Sequence, residues 1–205
     1  MNALIIGGTG FLGKAIREEL KDYTIFAPTR QELDLSNRES IEQFCKTLPK
    51  LDLYINTAAT PLIFDRFQNI PLETFAYDIH VNVINQIYLV QKILPLLNQN
   101  AHVLFILTEM VVKPQAYFSS YITAKSALLG FAKGLAQELR SKEIWVNAVS
   151  PGMIDSPYIK KLPDMVKKIY LKKYKKFVDP KDVALTIRTI IKTNQTGQNT
   201  VVLPK

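Results

Sequence analysis

Tyr121 and Lys125 stand four residues apart in Tyr121-Ile-Thr-Ala-Lys125, a spacing that sets a phenol and an ammonium on one face of a helix, close enough to meet. An ammonium favours phenolate. The pair therefore predicts a phenol held below its ordinary pKa of about 10, suited to exchanging a proton with a substrate near neutral pH. Tyr88 and Lys92 repeat the spacing. That second pair falls inside a long helix with no strand end nearby, and it reads as packing plus a solvated lysine. Tyr121 follows Thr108 by thirteen residues, and Thr108 closes an apolar strand. In an open α/β sheet the carboxyl ends of strands are where ligands bind.

A second group of residues lies at the amino terminus. The apolar run Ala3 to Ile6 leads into Gly7-Gly8-Thr9-Gly10-Phe11-Leu12-Gly13, and Lys14 to Leu20 continues with apolar residues at helical spacing. Such a glycine turn brings backbone N–H groups close to a diphosphate, and the helix dipole favours the negative charge there. The alternative is a purely structural strand-to-helix turn. A nucleotide-triphosphate loop also comes close, since Gly8 to Ala15 is Gly-x-x-x-x-Gly-Lys-Ala, but Ala15 stands where a magnesium-binding hydroxyl is required. Beyond the next strand, Tyr23 to Ala27, Arg30 offers a guanidinium suited to a ribose 2′-phosphate, where an acid would bind a 2′-hydroxyl; this favours NADP(H) over NAD(H).

The elements that must position these groups alternate along the chain. A helix starts at Ser36 or Asn37 and stops at Pro49, strand Leu51 to Ile55 ends in Asn56-Thr57-Ala58-Ala59, and a long helix is expected from about Leu72 to Leu97. Strand His102 to Leu107, helix Ser120 to Arg140, strand Ile144 to Val149, helix Pro180 to about Lys192 and strand Thr200 to Leu203 complete the order. This alternation predicts an α/β fold, a single-domain Rossmann-like doubly wound parallel sheet over residues 1–205.

Composition narrows the function. The 47% apolar and 21% charged residues are ordinary for a soluble globular chain. One cysteine, Cys45, and two histidines argue against a disulfide framework and a structural zinc site, and they suit a reducing cytoplasm; no metal is expected. No signal peptide is expected before the first strand, and the apolar stretch Ile79 to Leu97 is too interrupted for a membrane span. The net charge of +8 is concentrated between Lys160 and Lys181, where nine Lys face two Asp, which argues against a broad nucleic-acid surface.

Taken in order, Gly7-x-x-Gly10-x-x-Gly13, Asp34-Leu35, Asn56-Thr-Ala-Ala59, Asn82, Thr108, Tyr121-x-x-x-Lys125 and Ser150-Pro151-Gly152 resemble the short-chain dehydrogenase/reductase family across nearly the whole chain. The resemblance implies that Tyr121 is the general acid/base, that Lys125 depresses its pKa and holds the nicotinamide ribose, and that Thr108 hydrogen-bonds the substrate oxygen. It further implies that Asn82 supports a proton-relay water and that Asp34 and Leu35 sit by adenine. Asn56, Ala58 and Ala59 would support the coenzyme, with Pro151, Gly152, Ile154 and Ser156 lining the nicotinamide pocket. The expected substrate is a small carbonyl or secondary alcohol, and homodimers or homotetramers packed through two long helices are usual in the family.

Three departures stand out. Thr108 replaces the usual serine, Phe11 replaces a middle glycine, and in a short chain only Gln31-Glu32-Leu33 separate Arg30 from Asp34-Leu35, too few for the crossover helix usual at that point in the family. These features, with Glu109 beside Thr108, support an alternative, a protein that binds a dinucleotide without catalysis and acts as a regulatory or interaction partner. In the lysine-rich segment, Met165, Val166, Ile169, Tyr170, Tyr174 and Phe177 recur at helical spacing and predict a buried face opposite solvated lysines. Its place in the family suggests a flap over the substrate, whose charge would draw an anionic one.

Overall fold

Successive residues of the first strand serve two different cores. Ala3 and Ile5 pack with Leu53, Ile55, Leu104 and Ile106, whereas Leu4 packs on the opposite side with Tyr54, Val103 and Phe105. A strand apolar at both parities must be covered on both faces. The computed structural model, which describes residues 1–205, shows how. Strands β1 (Asn2–Ile6), β2 (Thr24–Phe26), β3 (Leu51–Asn56), β4 (Leu97–Ile106), β5 (Trp145–Pro151) and β6 (Asn199–Val202) form one sheet in the order β2-β1-β3-β4-β5-β6. Every neighbouring pair is parallel. Ile6, Asn56, Phe105 and Ala148 stand side by side in register near the carboxyl edge. The chain runs outward in opposite directions from β1 and β3, and a crevice opens at such a reversal.

Helices α1 (Phe11–Glu19) and α8 (Pro180–Ile190) cover one face through Ile16, Val183 and Ile187. On the other, α2 (Arg38–Lys46), α4 (Asn85–Ile93) and α5 (Ser119–Leu139) contribute Ile41, Leu89, Ile93, Leu128 and Leu135. Asn37 rather than Ser36 caps α2, its Oδ1 accepting from the Glu39 and Ser40 N–H groups at 2.9 and 3.3 Å. Asp179 caps α8 in the same way, with Pro180 in the first turn. Above the carboxyl ends, α6 (Pro157–Lys160) and α7 (Asp164–Tyr174) form a small third core with Met110, Phe118 and Met153.

Three sequence expectations need correction. The single helix expected over Leu72 to Leu97 is α3 (Leu72–Ile79), a wider π-helical turn (His80–Ile84), α4 and a short 3-10 turn (Leu94–Leu96). Next, β4 begins at Leu97, five residues before the expected start. Its polar Leu97–Asn100 portion reads as loop, yet Leu97 pairs with Leu51 and Asn98 donates to Asp52 Oδ1 at 2.8 Å before a bulge restores the register. Finally, α7 buries a narrower stripe than expected. Val166 and Tyr170 are buried, but Met165 and Ile169 are 62% and 63% exposed, because the small core beneath receives only side chains one turn apart.

Candidate active site

The turn between β1 and α1 is shaped by two glycines. Gly7 has φ +75°, and a Cβ there would lie 2.5 Å from Thr57 Oγ1 and 3.0 Å from the Ala58 nitrogen. A Cβ on Gly13 would overlap the Gly7 carbonyl and the Gly8 backbone. Helix α1 is therefore seated tightly on the turn, and Gly10 starts it without a side-chain cap, so its first N–H groups point outward. Gly7, Thr9, Gly10, Phe11, Leu12 and Gly13 line one end of a cleft of about 410 Å³. Ala58 and Ala59 line it from the end of β3. Asn56 does not reach the wall; its Oδ1 accepts from the Ala58 N–H at 3.0 Å, and its Nδ2 donates to Gln86 Oε1 at 2.7 Å. Gln86 in turn donates to the Ala58 carbonyl at 3.1 Å, a brace that no sequence pattern announced.

Thr108, Tyr121 and Lys125 line the other part of the same cleft. Thr108 lies two residues beyond the end of β4 and opens a short turn, its Oγ1 accepting from the Met110 N–H at 3.4 Å. Lys125 is buried and donates to the Ile106 carbonyl at 3.0 Å. Its Nζ lies 5.9 Å from the Tyr121 ring centroid. Burial pushes the Lys125 ammonium down to about 8, opposed by the Asp78 charge. Burial also pushes the Tyr121 phenol up to about 12; the Thr108 hydroxyl pulls it back and Asp78 adds to the rise. The expected phenol near neutrality is thus corrected. Lys125 gives one of its three N–H donors to a backbone carbonyl and stays 5.9 Å from the ring, and enclosure disfavours both charged forms.

Asn82 lies in the π-helical turn and is buried, away from the cleft wall. Its Oδ1 accepts from the Thr60 N–H at 2.9 Å, and its Nδ2 donates to Thr60 Oγ1 at 2.7 Å and Asp78 Oδ1 at 2.6 Å. Asp78 also accepts from the hydroxyls of Thr60 and Ser120. This side chain is committed to a buried network rather than presented to a relay water. Asp78 had no sequence signal, because a lone acid in an amphipathic helix reads as surface.

Pro151, Gly152, Ile154 and Ser156 line the cleft as expected of their stretch. Arg30, Asp34 and Leu35 do not. The Arg30 side chain is 80% exposed, with its Nε 4.0 Å from Asp34 Oδ1. Asp34 accepts from the Ser36 N–H and hydroxyl at 2.8 and 2.7 Å, bonds that hold its carboxyl below the usual range, and Leu35 packs on the core. Helix α6 contributes Tyr158 and Ile159 to the wall, but no lysine between 160 and 181 lines it, so none of them is placed to receive the anionic substrate expected from their charge. No helix is long and apolar enough to cross a membrane.

The family described as enoyl-(acyl carrier protein) reductase matches residues 13–202. The uncharacterized oxidoreductase YhxD of Bacillus subtilis is 30% identical over 148 residues, covering 68% of this chain and 49% of its own length. The 3-oxoacyl-[acyl-carrier-protein] reductase FabG of Rickettsia bellii is 29% identical over 178 residues, covering 83% of this chain and 70% of FabG. The chain spans about half the length of several of the curated relatives it matches. Among solved structures, a small-chain dehydrogenase in complex with NADPH superposes with a TM-score of 0.89 at 21% identity, covering 98% of this chain and 96% of that one. With the parallel sheet, the glycine turn and the Thr108–Tyr121–Lys125 cluster in one cleft, these matches show that the chain belongs to the short-chain dehydrogenase/reductase family.

Proposed function

We propose that the protein is an NADP(H)-dependent oxidoreductase that interconverts a small carbonyl compound and its secondary alcohol. The observation that carries this reading is the meeting of Thr108, Tyr121 and Lys125 in a cleft whose far end is the glycine turn. That end fits a dinucleotide. The backbone approaches where a Cβ on Gly7 or Gly13 would intrude, and the outward N–H groups of α1 suit a diphosphate. A bound nicotinamide dinucleotide supplies or accepts the hydride. Tyr121, held protonated, gives its proton to the substrate oxygen during reduction and takes it back during oxidation. Thr108 orients that oxygen through its hydroxyl, with fewer rotamers open to it than a serine would have. Lys125 lines the cleft beside Tyr121, where it would hold the nicotinamide ribose, and its weakened hold on a proton suits a relay. Asn82 acts as a positioning residue, fixing Thr60 and the π-helical turn next to Tyr121. Arg30 is exposed beyond β2, able to turn toward a 2′-phosphate, while Asp34 and Leu35, which the family resemblance puts by the adenine, lie outside the cleft wall. Solved relatives of the fold include complexes with NADPH and with NADH, so the preference for NADP(H) rests on Arg30.

The reading extends to assembly and location. Leu72, Tyr77 and Ile84 are exposed apolar side chains along the helices before α5, a surface suited to a homodimer or homotetramer. Cys45 is free and buried, with its thiol pushed up to about 11 by burial, which suits the cytoplasm. The direct test follows the absorbance of NADPH against a panel of aldehydes and ketones. Oxidation of NADPH coupled to formation of the alcohol is the expected result; binding of NADPH with no carbonyl turned over would overturn the reading.

A further inference from the structure

Glu109 is the residue after Thr108, its Cα one step of about 3.8 Å from the Cα of the residue that orients the substrate oxygen. It is 4% exposed, and it lines the cleft. Apart from Lys125 and the phenols, it is the one ionisable side chain in that wall. Tyr174 OH, on α7, donates to its Oε2 at 2.9 Å. The second oxygen, Oε1, receives no hydrogen bond from the protein, and it is not among the fully enclosed side-chain atoms that lack a partner. Lys173 faces the carboxylate from outside the wall, its Nζ 4.5 Å from the Tyr174 ring centroid, and it makes no ion pair with Glu109. The same wall is largely apolar, with Leu62, Met110, Met153 and Ile159 among its side chains.

We infer that Glu109 determines substrate specificity, and that the substrate carries, besides its carbonyl, a hydrogen-bond-donating group, an ammonium or a hydroxyl, that occupies Glu109 Oε1. This rests on the oxidoreductase reading above. A carboxylate with one oxygen unmatched in an apolar wall loses hydration when the cleft closes on a substrate. A donor on the substrate restores that bond in charge-assisted form, a methyl group leaves it unmade, and a substrate carboxylate meets a like charge. Sites that hydrogen-bond a polar substrate group reject analogues lacking it more strongly than apolar sites reject size changes. The sequence-based expectation of an anionic substrate is reversed, because the lysines that suggested it stand outside the wall and the acid stands inside.

The test uses the full chain with NADPH and para- and meta-substituted benzaldehydes bearing aminomethyl, hydroxymethyl, methyl or carboxylate groups. Wild-type kcat/KM is expected to favour the two donor-bearing probes over the methyl probe by about tenfold or more, with the carboxylate poorest. Glu109→Gln retains an acceptor for Tyr174 but loses the charge. Its preference for aminomethyl over methyl is expected to collapse to within about threefold, with stabilisation by NADPH confirming the fold. Equal or better turnover of the methyl or carboxylate probe, or a preference that survives in E109Q, overturns the inference alone. Should E109Q fail to fold, the wild-type ratios decide. If NADPH binds and no probe is reduced, the oxidoreductase reading fails, and this inference with it.

Discussion

His102 begins the central part of β4 with its ring buried and its Nδ1 without a partner. Burial pushes its pKa down to about 4 from an ordinary 6.5. Between those values the unfolded chain binds the proton and the folded chain does not, so stability falls as pH drops through that window. The loss is expected to reach at most about 3 kcal/mol, read from urea unfolding at stepped pH, and His102→Gln should flatten the profile; an unchanged profile contradicts the assignment. The same logic of enclosure governs Tyr121 and Lys125. Their spacing and their place after a strand were legible in the sequence, and the structure brings both to the cleft. Their protonation was not legible. It depends on how deeply the cleft encloses them and on Asp78, which approaches from a different helix.

At the scale of elements, the interrupted helix before α5 has the clearest mechanical role. A π-helical turn inserts an extra residue into a helix, and such turns recur at functional sites. Here the turn carries Asn82 inward to Thr60, while Asp78 ties Thr60, Asn82 and Ser120 together beneath Tyr121. All three partners donate to the Asp78 carboxylate. Asp78→Asn places an N–H₂ against a donor and is expected to cost about 1–3 kcal/mol by chemical unfolding and to slow turnover more than it weakens NADPH binding. A variant as stable and as active as the parent contradicts the positioning role. Helical periodicity showed the helix but could not show the widened turn, since Ile79, Val83, Ile87 and Val90 keep an apolar pattern at helical spacing through it. On α7 the same periodicity overstated burial at Met165 and Ile169. Spacing along one helix carries no information on how small the core beneath it is.

For the whole molecule, the alternation of strands and helices was enough to predict the parallel sheet, because strands apolar at both parities leave few other ways to bury themselves. Strand order, the bulge in β4 and the path of the flap depend on contacts between distant segments and were not legible. The cleft joins both halves of the sheet, so a ligand spanning it stabilises the folded state as a unit. At a concentration a hundredfold above Kd, NADPH is expected to contribute about 2.7 kcal/mol, a rise in Tm of about 5–10 °C, with NADH giving less at equal concentration. Equal shifts for the two coenzymes would contradict the role given to Arg30. The central claim, that Tyr121 passes the proton in a cleft shared with a dinucleotide, is tested most directly by Tyr121→Phe, with kcat for a reduced carbonyl and Kd for NADPH measured on one preparation. The account predicts that kcat falls by about a hundredfold or more while Kd stays within about threefold. Turnover retained at the parent rate would contradict it.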